Sequence, residues 1–187
     1  MLFRGIFALS LLTISTFVLA DTVDFNLRND SVQFQYFASM GTGKLGKSEM
    51  HAGLLYVNQN DLLADIGIIV KDEVGKDAPG VSVGAGIKGL TAEANGNTVA
   101  AVALGGLVRY SPFPDHRLGI IGLLYFAPNI VTFGDADRYI ETGARIEYEI
   151  IPQAAAYLGY RKINFGFESK PDATLDEGAY IGLRMMF

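Results

Sequence analysis

The sequence has no cysteine and no tryptophan, and only two histidines. Without cysteine there is no disulfide framework and no thiolate metal site. His51 and His116 stand far apart among scattered acids, which is not the spacing of a metal-ligand set. After the first twenty residues the most apolar run is Leu118 to Ala127, well short of the ~20 residues a membrane-spanning helix needs. Basic charge is scarce as well: 15 Lys and Arg face 20 Asp and Glu. Binding nucleic acid needs cationic surface, so nucleic acid is excluded as a partner.

What is present is apolar and glycine-rich: half of the chain is hydrophobic, and it holds 22 glycines. Residues 1–20 read as a cleaved secretory signal peptide. Arg4 supplies the positive start, Ile6 to Leu12 the apolar core, and Val18-Leu19-Ala20 the small residues before a cut at Asp21. No cysteine follows the cut, so no lipoprotein anchor is expected. Cleavage removes Arg4 and no acid, making the remaining chain one unit more negative than the −5 of the full sequence. Residues 21–187 are then one domain. An exported chain of this apolar content without a spanning helix points to an antiparallel transmembrane β-barrel.

The pattern along the chain agrees. Period-two alternation, the mark of a strand with two different faces, recurs in nearly every segment between turn signals. Val32, Phe34 and Tyr36 oppose Gln33 and Gln35; Met50, Ala52, Leu54 and Tyr56 oppose Glu49, His51 and Gly53. Ile140, Thr142, Ala144, Ile146, Tyr148 and Ile150 oppose Glu141, Gly143, Arg145, Glu147 and Glu149. Ten strands are expected in an up-and-down barrel, or eight if the short segment 22–28 and its partner do not span. With both termini in the periplasm, as even-stranded barrels have them, the turns at 41–47, 72–79, 111–116 and 151–153 are periplasmic. Those at 59–61, 92–96, 128–137 and 169–175 are extracellular. The outward aromatics Tyr36, Tyr56, Tyr110, Phe126, Tyr148, Tyr160 and Phe187 suit girdles at the two membrane interfaces.

The final stretch, Ala179 to Phe187, alternates strictly and places Leu183, Met185 and Phe187 on one apolar face. A terminal aromatic preceded by apolar residues at every second position is similar to the signal read by outer-membrane assembly machinery. Beyond this, Tyr125-Phe126-Ala127-Pro128, Gly143-Ala144-Arg145-Ile146-Glu147-Tyr148, Leu158-Gly159-Tyr160-Arg161 and Asp176-Glu177-Gly178-Ala179-Tyr180-Ile181-Gly182-Leu183 resemble the YfaZ-type outer-membrane proteins of Gram-negative bacteria. The resemblance is strongest over 117–187. It implies location and fold, and it carries over no catalytic or ligand residue.

Chemistry is sparse. Gly84-Ala85-Gly86-Ile87-Lys88-Gly89 matches the dinucleotide pattern G-x-G-x-x-G but lies inside an alternating strand, without the helix the motif needs. Its glycines are expected to make room inside a narrow barrel. Glu49 and His51 share an inward face and are the pair a barrel enzyme would use on lipid or surface peptide. The one charged constellation is Glu141, Arg145, Glu147 and Glu149 on one strand, with Arg161 and Arg184 from the next two. Strands lie ~4.8 Å apart, so these side chains can interlock, either lining a pore or filling a small barrel with paired charge. The expected function is a non-catalytic outer-membrane barrel, structural or a narrow passive channel, without cofactor or metal. Its expected partners are outer-membrane lipid, the assembly machinery and, through an open lumen, a small solute. The alternatives are the barrel enzyme and a soluble exported β-sandwich or lipocalin-like binder.

Overall fold

A computed structural model of the chain describes residues 21–58, 61–75, 78–94, 96–114, 116–167 and 171–187. The expected leader, 1–20, lies outside the described residues. The strands are β1 (Thr22–Leu27), β2 (Ser31–Gly43), β3 (Gly46–Val57), β4 (Asp61–Glu73), β5 (Val81–Ala94), β6 (Asn97–Tyr110), β7 (Leu118–Ala127), β8 (Thr132–Gly134), β9 (Arg138–Ile151), β10 (Ala154–Gly166) and β11 (Ala173–Met186). All pair antiparallel in one sheet, and β1 pairs with both β2 and β11, so the sheet closes on itself. The three-residue β8 is not a separate stave. β7 covers β6 from Leu104 to Tyr110, and β8 takes over against Val99 to Ala101. The barrel thus has ten staves, the short first strand among them. Closure leaves every strand a partner on both sides, which backbone in hydrocarbon requires.

Asp21 and Phe187 lie at one end, here the terminal end, where the Phe187 amide donates to the Asp21 carbonyl at 2.9 Å. At this terminal end β2 connects to β3, β4 to β5, β6 to β7 and β9 to β10; the remaining connections are at the far end. Two stretches expected as loops are partly ladder. Of 41–47 only Lys44 and Leu45 turn, because a bulge between Ser39 and Gly41 restores the pairing beyond it. Of 169–175 the last three residues belong to β11. A second bulge there pairs Ile163 with Asp176 and Asn164 with Thr174. It turns the adjacent Leu175 and Asp176 both inward, and this break in alternation hid the strand.

The outer wall is apolar. Phe34, Leu54, Ile66, Ile87, Leu104, Leu124, Ile146, Leu158, Ile181 and Leu183 all stand exposed on it. The band ends abruptly. On β10 and β11, Tyr160 and Ala179 are paired, and one step beyond them Lys162 meets Glu177 at 2.9 Å. From Ala179 to Phe187 a tilted strand rises about 20–25 Å along the barrel axis, close to the ~25 Å of a lipid-facing band. Above it the far rim is charged. Arg138 meets Asp172 at 2.9 Å, and Arg28 meets Asp30 at 2.6 Å. The hydrogen bond from Arg28 holds the Asp30 carboxyl below its usual range.

Staves differ in height. β1 has six residues, while β2 has thirteen and β11 fourteen. β1 ends opposite Ile181, so no strand flanks the far part of β11 on that side among the described residues. Arg28 lies along this edge, its Nη1 3.0 Å from Asp176.

Candidate functional site

Inside the barrel the inward residues form three layers. The far half is apolar. Leu55, Leu63, Leu90, Val99, Ala101, Ala127, Tyr139, Ile163, Phe165 and Leu175, drawn from β3 through β11, make one cluster across the axis. Val131 and Ala136, from the connection between β7 and β9, pack on it, as does Phe167. Leu55, Val99, Ala127, Tyr139 and Phe165 are at 0% exposure, so water does not reach them. Tyr139 and Phe165 pack with ring centroids 5.4 Å apart.

Beneath this plug lies a belt of buried charge. Lys88 on β5 reaches across to Glu141 on β9, whose carboxylate also accepts from the Tyr139 hydroxyl at 2.7 Å. Lys88 Nζ sits 4.6 Å from the centre of the Tyr125 ring. Arg161 donates through Nε and Nη2 to Asp176 Oδ2, at 2.8 and 2.5 Å, and through Nη1 to Gln33. Nε2 of His51 lies 3.1 Å from Asp65 Oδ1. Buried ions of this kind are tolerated only when paired.

The terminal half holds a cavity of about 300 Å³. Lys47, Lys71, Arg109, Arg145 and Arg184 line it, and side-chain exposure rises from 6% at Lys88 in the belt to 48% at Lys47 near the mouth. Glu147 is the hub: Arg109 reaches it at 2.7 Å, Arg145 at 3.4 Å, and Arg184 also binds it. These reaches cross whole strands. Arg109 passes over Gly119 on β7, where a Cβ would come 2.7 Å from its Cζ. Asp24 on β1 accepts from Arg145 at 3.0 Å and from the Tyr157 hydroxyl. Tyr157 and Tyr180 lie over Gly182 and Gly159, their register partners on the neighbouring strand.

The structure therefore puts Glu141, Arg145, Glu147, Arg161 and Arg184 inside. Glu141, Arg145, Arg161 and Arg184 all line the cavity, the first and third at its buried floor, while Glu147 lies in the wall behind the arginines it binds. Glu149 is half-buried on the same face of β9, in the field of Arg109. The partners Asp24, Lys88 and Arg109 come from strands outside the expected set, and Asp176 from β11, the strand of Arg184. Their inward phase was visible in the sequence; which of them meet across the lumen was not. Glu49 and His51 do not pair. Glu49 is taken by Lys71 at 2.5 Å and Lys47 at 3.3 Å, while His51 turns to Asp65. The other histidine, His116, is exposed in the connection between β6 and β7 at the terminal end. Gly84 and Gly86 face inward in mid-strand, as the alternation requires. A Cβ at Gly86 would come 2.7 Å from the Ile68 carbonyl and 3.1 Å from the Tyr125 hydroxyl.

A closed, ten-stranded, up-and-down barrel with an apolar outer band has the architecture of a transmembrane β-barrel. A match to the YfaZ precursor family spans residues 3–187, and the chain belongs to that family. No curated protein matches it. Two solved structures are similar to it: a KdgM porin, at TM-score 0.46 and 11% identity, and a KdgM porin in complex with disordered oligogalacturonate, at 0.44 and 9%. Each comparison covers 90% of this chain and 99% of the other.

Proposed function

We propose that this chain, freed of residues 1–20 on export, is a non-catalytic barrel of the bacterial outer membrane. Its terminal end faces the periplasm. Its lumen is sealed toward the cell exterior and open to the periplasm. The observation that carries this reading is the apolar plug, whose central side chains are at 0% exposure. A water-filled channel needs a continuous polar path, and the far half offers none. The belts of aromatics support the orientation: Tyr36, Tyr110, Tyr148 and Phe187 stand near the terminal end, while Tyr56, Phe126 and Tyr160 stand toward the far end. Leu183, Met185 and Phe187 lie on the lipid-facing side at the terminal edge, where the assembly machinery would meet them. Lipid and that machinery are the partners of the wall. Catalysis finds no support, since lysines hold the carboxylate that the Glu49–His51 pair would need.

Refolded protein in a planar bilayer tests this. The expected trace has no steady conductance. A stable ohmic conductance in the unmodified protein would show the plug to be open, and the narrow passive channel would replace the sealed barrel.

A further inference from the structure

The terminal cavity has a property that charge pairing alone does not demand. In the ion pairs toward its mouth the acid lies in the wall and the base is the more exposed partner, unlike the Lys88–Glu141 pair at its floor. Side-chain exposure is 1% for Asp24 and 2% for Glu147, against 17% for Arg145, 20% for Arg184 and 26% for Arg109. Glu49 is at 14%, between Lys71 at 28% and Lys47 at 48%. The bases come from five different strands and converge on one space of about 300 Å³.

Donors also outnumber acceptors there. Three guanidinium groups share Glu147, and a carboxylate offers about four lone-pair sites where each guanidinium brings five N–H donors. Nε of Arg145 and Nε of Arg184 are buried without a hydrogen-bond partner among the described residues, as is Oε2 of Glu147, which Arg145 approaches only to 3.4 Å. The chain as a whole is acidic, at −5, so this surface runs against the average of the molecule.

We infer that the terminal cavity is a binding site for a small, soluble, multivalent oxyanion, bearing two or more carboxylate or phosphate groups, that enters from the terminal mouth. Guanidinium forks match planar or tetrahedral oxyanions with two parallel hydrogen bonds. Lys71 and Lys47, nearer the mouth, supply point charges along the way in. The cavity is at the small end of ligand pockets, which suits an anion the size of pyrophosphate or citrate and not an oligomer. The barrel wall separates the site from lipid headgroups.

The site rests on the proposed reading only for which compartment supplies the ligand. The test is calorimetric titration of the refolded chain 21–187 in non-ionic detergent without lipid, at low salt. The titrants are pyrophosphate and citrate, with acetate and chloride as monovalent controls. One-to-one binding of a multivalent anion is expected, weakening as salt rises. Lys47→Gln and Lys71→Gln should each weaken it about tenfold, the scale of one charge-assisted hydrogen bond. Lys162→Gln, on the outer wall, should leave it unchanged. Lys47→Gln leaves Glu49 its shorter bond to Lys71, so this variant is expected to fold; the heat-modifiable gel shift checks that. The inference is overturned if neither multivalent anion binds, if chloride competes at equal concentration, or if Lys47→Gln and Lys71→Gln bind as tightly as Lys162→Gln. Because binding is read without a membrane, its failure leaves the sealed lumen standing, and a conducting barrel leaves the site standing.

Discussion

The same strands line both halves of the lumen, yet the far half is packed and the terminal half encloses a cavity. In the far half inward positions hold leucine, valine, alanine and two aromatic rings, which need no partners and pack to exclusion of water. In the terminal half the equivalent positions hold lysine, arginine and tyrosine with glycine between them, and the space left over is a cavity. Lys88 and Glu141 sit at the junction, buried like the plug but charged like the cavity. The contrast teaches that alternation along a barrel strand specifies only which residues point inward. Whether the inside is a core or a vessel depends on side-chain size and polarity at each level.

The largest effect is expected where packing is tightest. Phe165→Ala removes a fully buried ring from the plug and should cost about 3–5 kcal/mol, read as a lower urea midpoint in detergent. It should also admit water to the far half, so a conductance absent in the parent is expected here. Loss of stability without conductance would mean that the neighbours collapse into the gap.

At the junction, Lys88→Met should cost about 3 kcal/mol, because Glu141 is left buried and unpaired. Adding Glu141→Gln to the same chain should recover most of it, as a neutral amide needs no counter-charge. If the single and double variants are equally unstable, the belt acts through shape and not through charge.

Two neighbours on β9 sharpen the difference between inside and outside. Ala144→Arg places a charge on the lipid face and should cost about 2 kcal/mol or more in a bilayer, at any pH. Arg145→Leu leaves Asp24 only the Tyr157 hydroxyl and takes one of three arginines from Glu147, beside a cavity, so a smaller loss of about 1–2 kcal/mol is expected. That loss should narrow as acid neutralises these carboxylates. Tolerance of both substitutions would mean that the two faces of β9 have been exchanged.

The smallest effect on stability belongs to Phe187. Its side chain is 73% exposed at the terminal edge, so deleting it should barely change refolding in detergent. Insertion in cells should fall clearly if the residue is read during assembly. Equal losses in the two assays would make it merely structural.

Much of this architecture was legible in the residues. The strict alternation of 139–150 and 179–187 gave strand, face and direction, and the turn formers gave the order of hairpins. What stayed hidden is physical in each case. The bulge at Leu175 disguised the start of β11, since two consecutive inward residues break the period of two. The plug was missed because leucines and alanines on an inward face carry no signature apart from their company, and Leu118 to Ala127 reads in sequence only as the most apolar run. The pairings of Lys88 with Glu141, Arg109 with Glu147 and Arg145 with Asp24 join strands that are not neighbours. Reach across a lumen depends on diameter and on small residues such as Gly119 in between, and a linear reading supplies neither.

The six-residue first strand has a kinetic consequence. A ring of staves opens at its shortest ladder, because the number of backbone bonds broken there is least. The two six-pair ladders of β1, to β2 and to β11, are thus the natural hinge lines of the closed wall, and the place where closure is completed last during folding. Amide hydrogens of Phe25 and Asn26 should exchange with solvent deuterium sooner than those in the middle of β5 or β6, strands of fourteen residues each. Arg28, bound to Asp176 beyond the end of the ladder to β11, then works as a latch that slows the unzipping.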